Sequence, residues 1–189
     1  MFDTIIRNVR IIKDDVWKFV DLGITDERFA EISPTVTGSA RNEVDGDCAY
    51  CLPGSIDLHV HFNEPGRSHW EGFTTGSAAA SAAGITYLAE MPLNSIPSTT
   101  SVDALKTKLS AINNKSYLDF GLWGGVVPGN VNDLEPLAEA GVIGFKAFMA
   151  PSGNDDFENS DNSTLREAMF RIAQTGRRLA LHAEDKAVL

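Results

Sequence analysis

Cysteine is nearly absent from this chain: Cys48 and Cys51 are the only two among 189 residues, too few for the disulfide framework of a small secreted domain. Their Cys-x-x-Cys spacing lacks a second pair to complete a four-thiolate zinc site. Pro53 and Gly54 follow where a redox motif would start a helix, so two reduced, partly buried thiols at a strand entry are expected. Positive charge is also scarce. Sixteen Lys and Arg against 26 Asp and Glu leave a formal net charge of -10, which argues against nucleic acid or an anionic membrane as partner and leaves a small polar substrate. No apolar run is long enough for a transmembrane helix, and Asp3 and Arg7 interrupt the short apolar start where a signal peptide would need its core. The cytoplasm is the expected compartment. No Gly-x-Gly-x-x-Gly follows the first strand of the second region, so a dinucleotide site has little support.

What is present falls into two regions. Residues 1–52 hold short β-rich runs, Thr4 to Val9, Val16 to Ile24 and Phe29 to Ile32, separated by polar turns. They read as part of a small β-sandwich, too short for a sizeable core of its own. Residues 53–189 alternate strands and helices, which predicts a parallel sheet with crossover helices. Strands are expected at Ser55 to Phe62, Ile85 to Met91, Tyr117 to Val127, Val142 to Met149 and Arg178 to Ala183. Helices are expected at Glu71 to Ala83, Val102 to Asn113, Asn132 to Ala140, and from a Thr164/Glu167 capping box to Gly176. The fold class is therefore α/β. Five βα strands form an incomplete (β/α)8 barrel, since a closed one needs eight strands and about 250 residues; an open doubly wound sheet is the competing architecture.

Within Gly-Ser-Ile-Asp-Leu-His-Val-His-Phe, His59 and His61 stand two residues apart in a strand-like run. Side chains at i and i+2 leave the same face of a strand, with Cα atoms roughly 6 to 7 Å apart, whereas on a helix they diverge by about 200°. Two imidazoles so placed can converge on one metal ion. An isolated His-x-His is more often a core histidine beside a chance neighbour. Here Ile56, Leu58 and Val60 make the opposite face apolar and, by expectation, buried. Asn63 to Gly66 then form a polar turn at the strand's C-terminal end, where α/β barrels carry their chemistry. His182 ends the fifth strand at the equivalent place. His69, in the loop after the first strand, reads as a surface or substrate-loop residue.

Lys146 is the sharpest oddity, an amine inside Val-Ile-Gly-Phe-Lys-Ala-Phe-Met, where a protonated ammonium is costly to bury. Snorkelling or a salt bridge is one resolution. The other is a deprotonated amine that takes up carbon dioxide and becomes an anionic carbamate ligand.

These residues resemble the cyclic amidohydrolases: dihydroorotases, hydantoinases and allantoinases. Pro53 to His61 match the family's first-strand motif, Gly144 to Lys146 its carbamylated-lysine motif, and His182 its fifth-strand histidine. The runs Glu64 to Phe73 and Glu90 to Thr99 look most like the allantoinase branch. Asn63 and Leu93 stand where dihydroorotases have Arg and Asn. The resemblance implies a (β/α)8 barrel that hydrolyses the ring of allantoin to allantoate with two divalent ions. Zinc is the first choice, with iron, manganese or cobalt as alternatives. It assigns His59, His61, His182 and carbamylated Lys146 as metal ligands, with Lys146 bridging the ions. Asn94 and, more loosely, Arg67 are assigned to substrate, with Trp70 beside them. It implies a homo-oligomer, a tetramer in the full-length form. The general acid/base Asp and a further His are expected beyond Leu189, so no catalytic residue is assigned in this chain and little activity is expected of it alone. The alternatives are another cyclic-ureide hydrolase, or a non-catalytic partner of a full-length subunit.

Overall fold

Ile5, Val9, Val20 and Leu22 become the buried residues of the amino-terminal sheet. The computed structural model describes residues 1–188, which divide into two units, Met1–Pro53 and Gly54 onward. The first unit contains β1 (Phe2–Lys13), β2 (Val16–Thr25), β3 (Arg28–Ser33) and β4 (Ala40–Asp45) in one sheet of order β3-β2-β1-β4. The first three strands pair antiparallel, and β4 lies parallel to β1. Asp21 ties this unit together, accepting from the Asn8 and Val36 amides at 2.9 and 3.1 Å and from Arg7 Nη1 at 3.0 Å. Strand β4 has no counterpart among the expected elements. Its sequence Ala-Arg-Asn-Glu-Val-Asp has little apolar content because an edge strand that buries almost nothing needs none.

The second unit runs β5 (Ser55–Val60), α1 (Phe73–Ala82), β6 (Ile85–Glu90), α2 (Val102–Ile112), β7 (Asp119–Gly125), α3 (Leu134–Glu139), β8 (Gly144–Phe148), α4 (Asn162–Thr175) and β9 (Leu179–His182). The five strands are parallel, in the order β5-β6-β7-β8-β9. Strictly sequential order excludes the doubly wound alternative, whose strand order reverses at a switch point. It is the order of a (β/α)8 barrel with five of its strands. Among the described residues no helix is long and apolar enough to cross a membrane.

Because side chains alternate along each strand, the sheet has two faces with different tasks. The outer face contributes Leu88, Leu122, Phe145 and Ala147 to a core with Phe73, Leu105, Ile112, Leu134, Leu137, Leu165, Ala168 and Ile172 from the helices and adjoining segments. The inner face carries Trp123 and Gly125 of β7 opposite Gly144 and Lys146 of β8. A Cβ on Gly144 would lie 2.6 Å from the Trp123 ring, so glycine is required for the indole to fit. The indole then donates from Nε1 to the Leu58 carbonyl at 3.0 Å, a bond from β7 to β5 that passes over β6.

Several local readings need correction. Ile56 and Leu58 are 64% and 50% exposed rather than buried. Strand β5 has one neighbour only, and α1 packs on β6. At the opposite edge Leu181 of β9 is exposed as well, so both sheet edges show apolar surface, as expected for an incomplete barrel. Asn132 does not cap a helix: it sits inside a 3-10 turn, Val131–Asp133, that leads into a shorter α3. The cap of α4 is Asp161, whose Oδ1 accepts from the Thr164 amide at 2.7 Å, which makes Thr164 the third helical residue. These bonds hold the Asp161 carboxyl down at about 2. Glu167 instead pairs with Arg171. Gly176 ends α4 in the left-handed conformation, φ +70°, as read from sequence.

The inner-face fit yields a direct prediction. Gly144→Ala forces its methyl against the indole and is expected to destabilise the chain by about 1 to 3 kcal/mol. Urea unfolding followed by tryptophan fluorescence measures this, and an unchanged midpoint would contradict the packing described.

Candidate metal centre

Strand β5 ends at Val60, so His59 lies in its last turn of pleat and His61 in the first residue beyond it. The two rings stand 5.4 Å apart between centroids, tilted by 53°. Burial depresses the pKa of His61, and the charges of His59, Lys146 and Lys108 push it further down. The shift favours the neutral ring, the form in which imidazole offers a lone pair to a cation.

Lys146 lies on the inner face of β8, only 5% exposed. Among the described residues no carboxylate stands within salt-bridge distance of its Nζ, so neither the salt bridge nor the snorkel considered from sequence is realised. Its Nζ faces the Phe148 ring at 5.1 Å. Desolvation lowers its pKa, which raises the fraction of free amine, the nucleophilic form.

His182 ends β9 in register with Phe148. Their rings stack at 4.7 Å and 9°, and His182 Nε2 lies 3.1 Å from Glu184 Oε1. The structure thus gathers two subsets: His59 with His61 at one sheet edge, and Lys146, Phe148 and His182 at the other. Among the described residues no three His, Cys, Asp or Glu side chains converge on a common point. The residues expected from sequence are divided among strands β5, β8 and β9.

The two residues assigned to substrate by resemblance both lie beside His61. Asn94 brings its side-chain amide to 3.4 Å from His61 Nδ1. Arg67 Nη1 donates to the Asn94 carbonyl at 3.2 Å, and its guanidinium covers Trp70 at 5.2 Å. His69 sits next to that tryptophan, 6.0 Å between rings.

Sequence reading missed the group that holds this rim. Lys108 of α2 and Glu90 of β6 form an ion pair at 2.6 Å with both side chains sealed from water. Lys108 Nζ also donates to the Glu64 carbonyl at 2.7 Å. The Glu64 carboxylate accepts from the Phe73 amide at 2.9 Å and from Lys115, so it serves as the cap that Gly72 cannot provide for α1. Burial raises the Glu90 carboxyl to about 7 against the opposing pull of Lys108 and of the Phe62 and Asn63 amides. The signal was available: Lys108 falls on the apolar stripe of α2 with Ala104, Leu105 and Ile112, and Glu90 closes an apolar strand.

A parallel sheet with imidazoles and a buried amine at the carboxyl ends of its strands is the layout in which (β/α)8 barrels carry active sites. Residues 50–188 match the model described as "Amidohydrolase family". The chain belongs to the amidohydrolase family. It is 43% identical over 187 residues to an allantoinase of Bacillus velezensis, covering 99% of this chain and 41% of that protein. It is 49% identical over 139 residues to an allantoinase of Arabidopsis thaliana, 72% of this chain and 28% of the relative. Among solved structures, the L-hydantoinase of Arthrobacter aurescens superposes with a TM-score of 0.90 at 32% identity, covering all of this chain and 42% of that one. The chain spans about two fifths of the length of the curated relatives it matches over nearly its whole length.

Removing one member of the sealed pair strands the other charge, so Lys108→Met or Glu90→Gln alone is expected to cost about 3 to 5 kcal/mol, and the double variant Lys108→Met/Glu90→Leu to recover most of it. Urea midpoints of the three variants test this. Single variants that match the unsubstituted chain would contradict it.

Proposed function

We propose that this chain supplies metal ligands for hydrolysis of the cyclic amide of allantoin to allantoate, a reaction of purine nitrogen recovery. The observation that carries the reading is Lys146: a buried amine with a depressed pKa and no counter-charge among the described residues, on the inner face of β8 and close enough for its charge to act on His61. The donor set fits a pair of divalent ions. His59 and His61 would hold one, His182 would help to hold the other, and Lys146, carbamylated, would lie between them. Zinc suits imidazole and carboxylate-type oxygen, as do iron, manganese and cobalt. Bound ions of this kind supply activated water and polarise a carbonyl at neutral pH.

The chain's own residues do the rest of what can be assigned. Burial lowers the pKa of His61 and so weakens the competition of protons for its ring nitrogens. Stacking on Phe148 fixes the plane of the His182 ring. Arg67 and Trp70 wall the rim beside Asn94. In the overall reaction a water oxygen adds to the ring carbonyl carbon, the ring C–N bond breaks, and the departing nitrogen takes a proton. The group that moves that proton is an Asp on a later strand in the family resemblance, so the 189-residue chain alone is expected to turn over allantoin negligibly. We propose the cytoplasm as its compartment and a homotetramer as its full-length form.

A hydantoinase-type substrate is the second reading, favoured by the 0.90 TM-score to an L-hydantoinase. The higher identity to allantoinases favours the first.

Two experiments test the proposal. Lys146→Ala, introduced into a full-length protein carrying this segment, is expected to abolish binding of two ions per subunit; metal analysis showing both ions retained would refute the carbamate bridge. The same full-length protein, assayed with allantoin, hydantoin and dihydroorotate, is expected to prefer allantoin, and hydrolysis of dihydroorotate alone would reject the substrate assignment.

A further inference from the structure

His61 is held from two directions by asparagines with left-handed backbones. Asn63, at φ +58°, donates from Nδ2 to the His61 carbonyl at 3.3 Å. Asn94, at φ +73°, is drawn with its side-chain nitrogen Nδ2 3.4 Å from His61 Nδ1. The Asn94 main chain is itself fixed, since Arg67 Nη1 donates to its carbonyl and its chain neighbours Leu93 and Ser95 are buried. With the main chain held, the question at this contact is which end of the amide faces the ring.

That turn decides the chemistry of the ring. The oxygen and nitrogen of a carboxamide have nearly the same shape, and the hydrogen-bond network settles which faces a neighbour. If the nitrogen donates to Nδ1, the imidazole proton sits on Nε2, and no lone pair is left for another partner. If Oδ1 accepts instead, the proton sits on Nδ1 and Nε2 keeps its lone pair. Hydrogen bonding at one ring nitrogen in this way selects the atom available to a metal.

We propose that Asn94 is a positioning residue that sets the tautomer of His61, its Oδ1 accepting the Nδ1–H so that Nε2 is left free for a divalent cation. The cation half of this statement rests on the metal reading of the site; the hydrogen-bond half does not. The assignment moves Asn94 from substrate contact to ligand support. It also explains the residue type beyond the backbone: a left-handed conformation alone is met equally well by glycine, but glycine has no acceptor.

That difference gives the test. In the metal-free 189-residue chain with nitrogen-15 histidine, long-range proton–nitrogen correlation at alkaline pH reads the His61 tautomer directly. The unsubstituted chain is expected to show Nδ1–H. Asn94→Asp, whose carboxylate can only accept, is expected to keep Nδ1–H, and Asn94→Gly, which tolerates the backbone, to revert to the Nε2–H form preferred by free imidazole. Titration with zinc alone is expected to show affinity at least about tenfold weaker for Asn94→Gly and restored by Asn94→Asp. An Nε2–H tautomer in the unsubstituted chain, or loss of Nδ1–H in Asn94→Asp, overturns the tautomer assignment whatever the zinc result. The expected tautomers with unchanged zinc affinity in Asn94→Gly overturn the role toward the cation and leave the metal reading standing, whereas no zinc binding by the unsubstituted chain counts against the metal reading itself.

Discussion

Two-residue alternation, held in register by five parallel strands, is the constraint on which the second unit rests. Each strand must satisfy a helix core on one face and an interior on the other, so a one-residue slip would send Lys146 into the helix layer and Phe145 inward. The interior is narrow, and its large residues need gaps opposite them. Trp123 occupies the space left by Gly144, and Phe157 the space left by Gly125. Interlocking of this kind is what allows the indole to bond Leu58, the residue directly before His59, and so to set the first histidine strand against the third strand of the series.

Electrostatics on the two sides of the rim follow opposite rules. Outside the barrel interior, Lys108 is buried but fully occupied, between the Glu90 carboxylate and the Glu64 carbonyl. Inside, Lys146 is buried and has no carboxylate at all within reach among the described residues. The first lysine organises the turn that follows the histidines, because Glu64 also caps α1 and meets Lys115. The second is left without a counter-charge among the described residues. A paired buried charge is a structural element, whereas an unpaired one calls for a chemical explanation.

Legibility in the sequence tracked the strength of the pattern. The five strands and four helices of the second unit were readable because apolar runs alternate with Ala-rich or capped segments, and Gly176 closed α4 where expected. Strand β4 was not, since a polar edge strand has no hydrophobic signature. Exposure of Ile56 and Leu58 was invisible to periodicity, which reports that a face is apolar but not that something covers it. The histidines and Lys146 stood out by spacing and by chemical incongruity. Asn94 was picked out by resemblance, yet its neighbour is His61 Nδ1, a contact across 33 residues that no local pattern encodes. The bond between Glu64 and Lys108 is equally beyond local pattern, joining residues 44 apart, although the apolar stripe of α2 marked Lys108 itself.

The central claim is that the uncompensated amine of Lys146 is there to be carbamylated beside bound ions. Carbon-13 NMR of the zinc-supplied protein in labelled bicarbonate tests it most directly. The account predicts a protein-bound carbamate resonance that vanishes in Lys146→Arg. No such resonance, or one that survives the substitution, would contradict it.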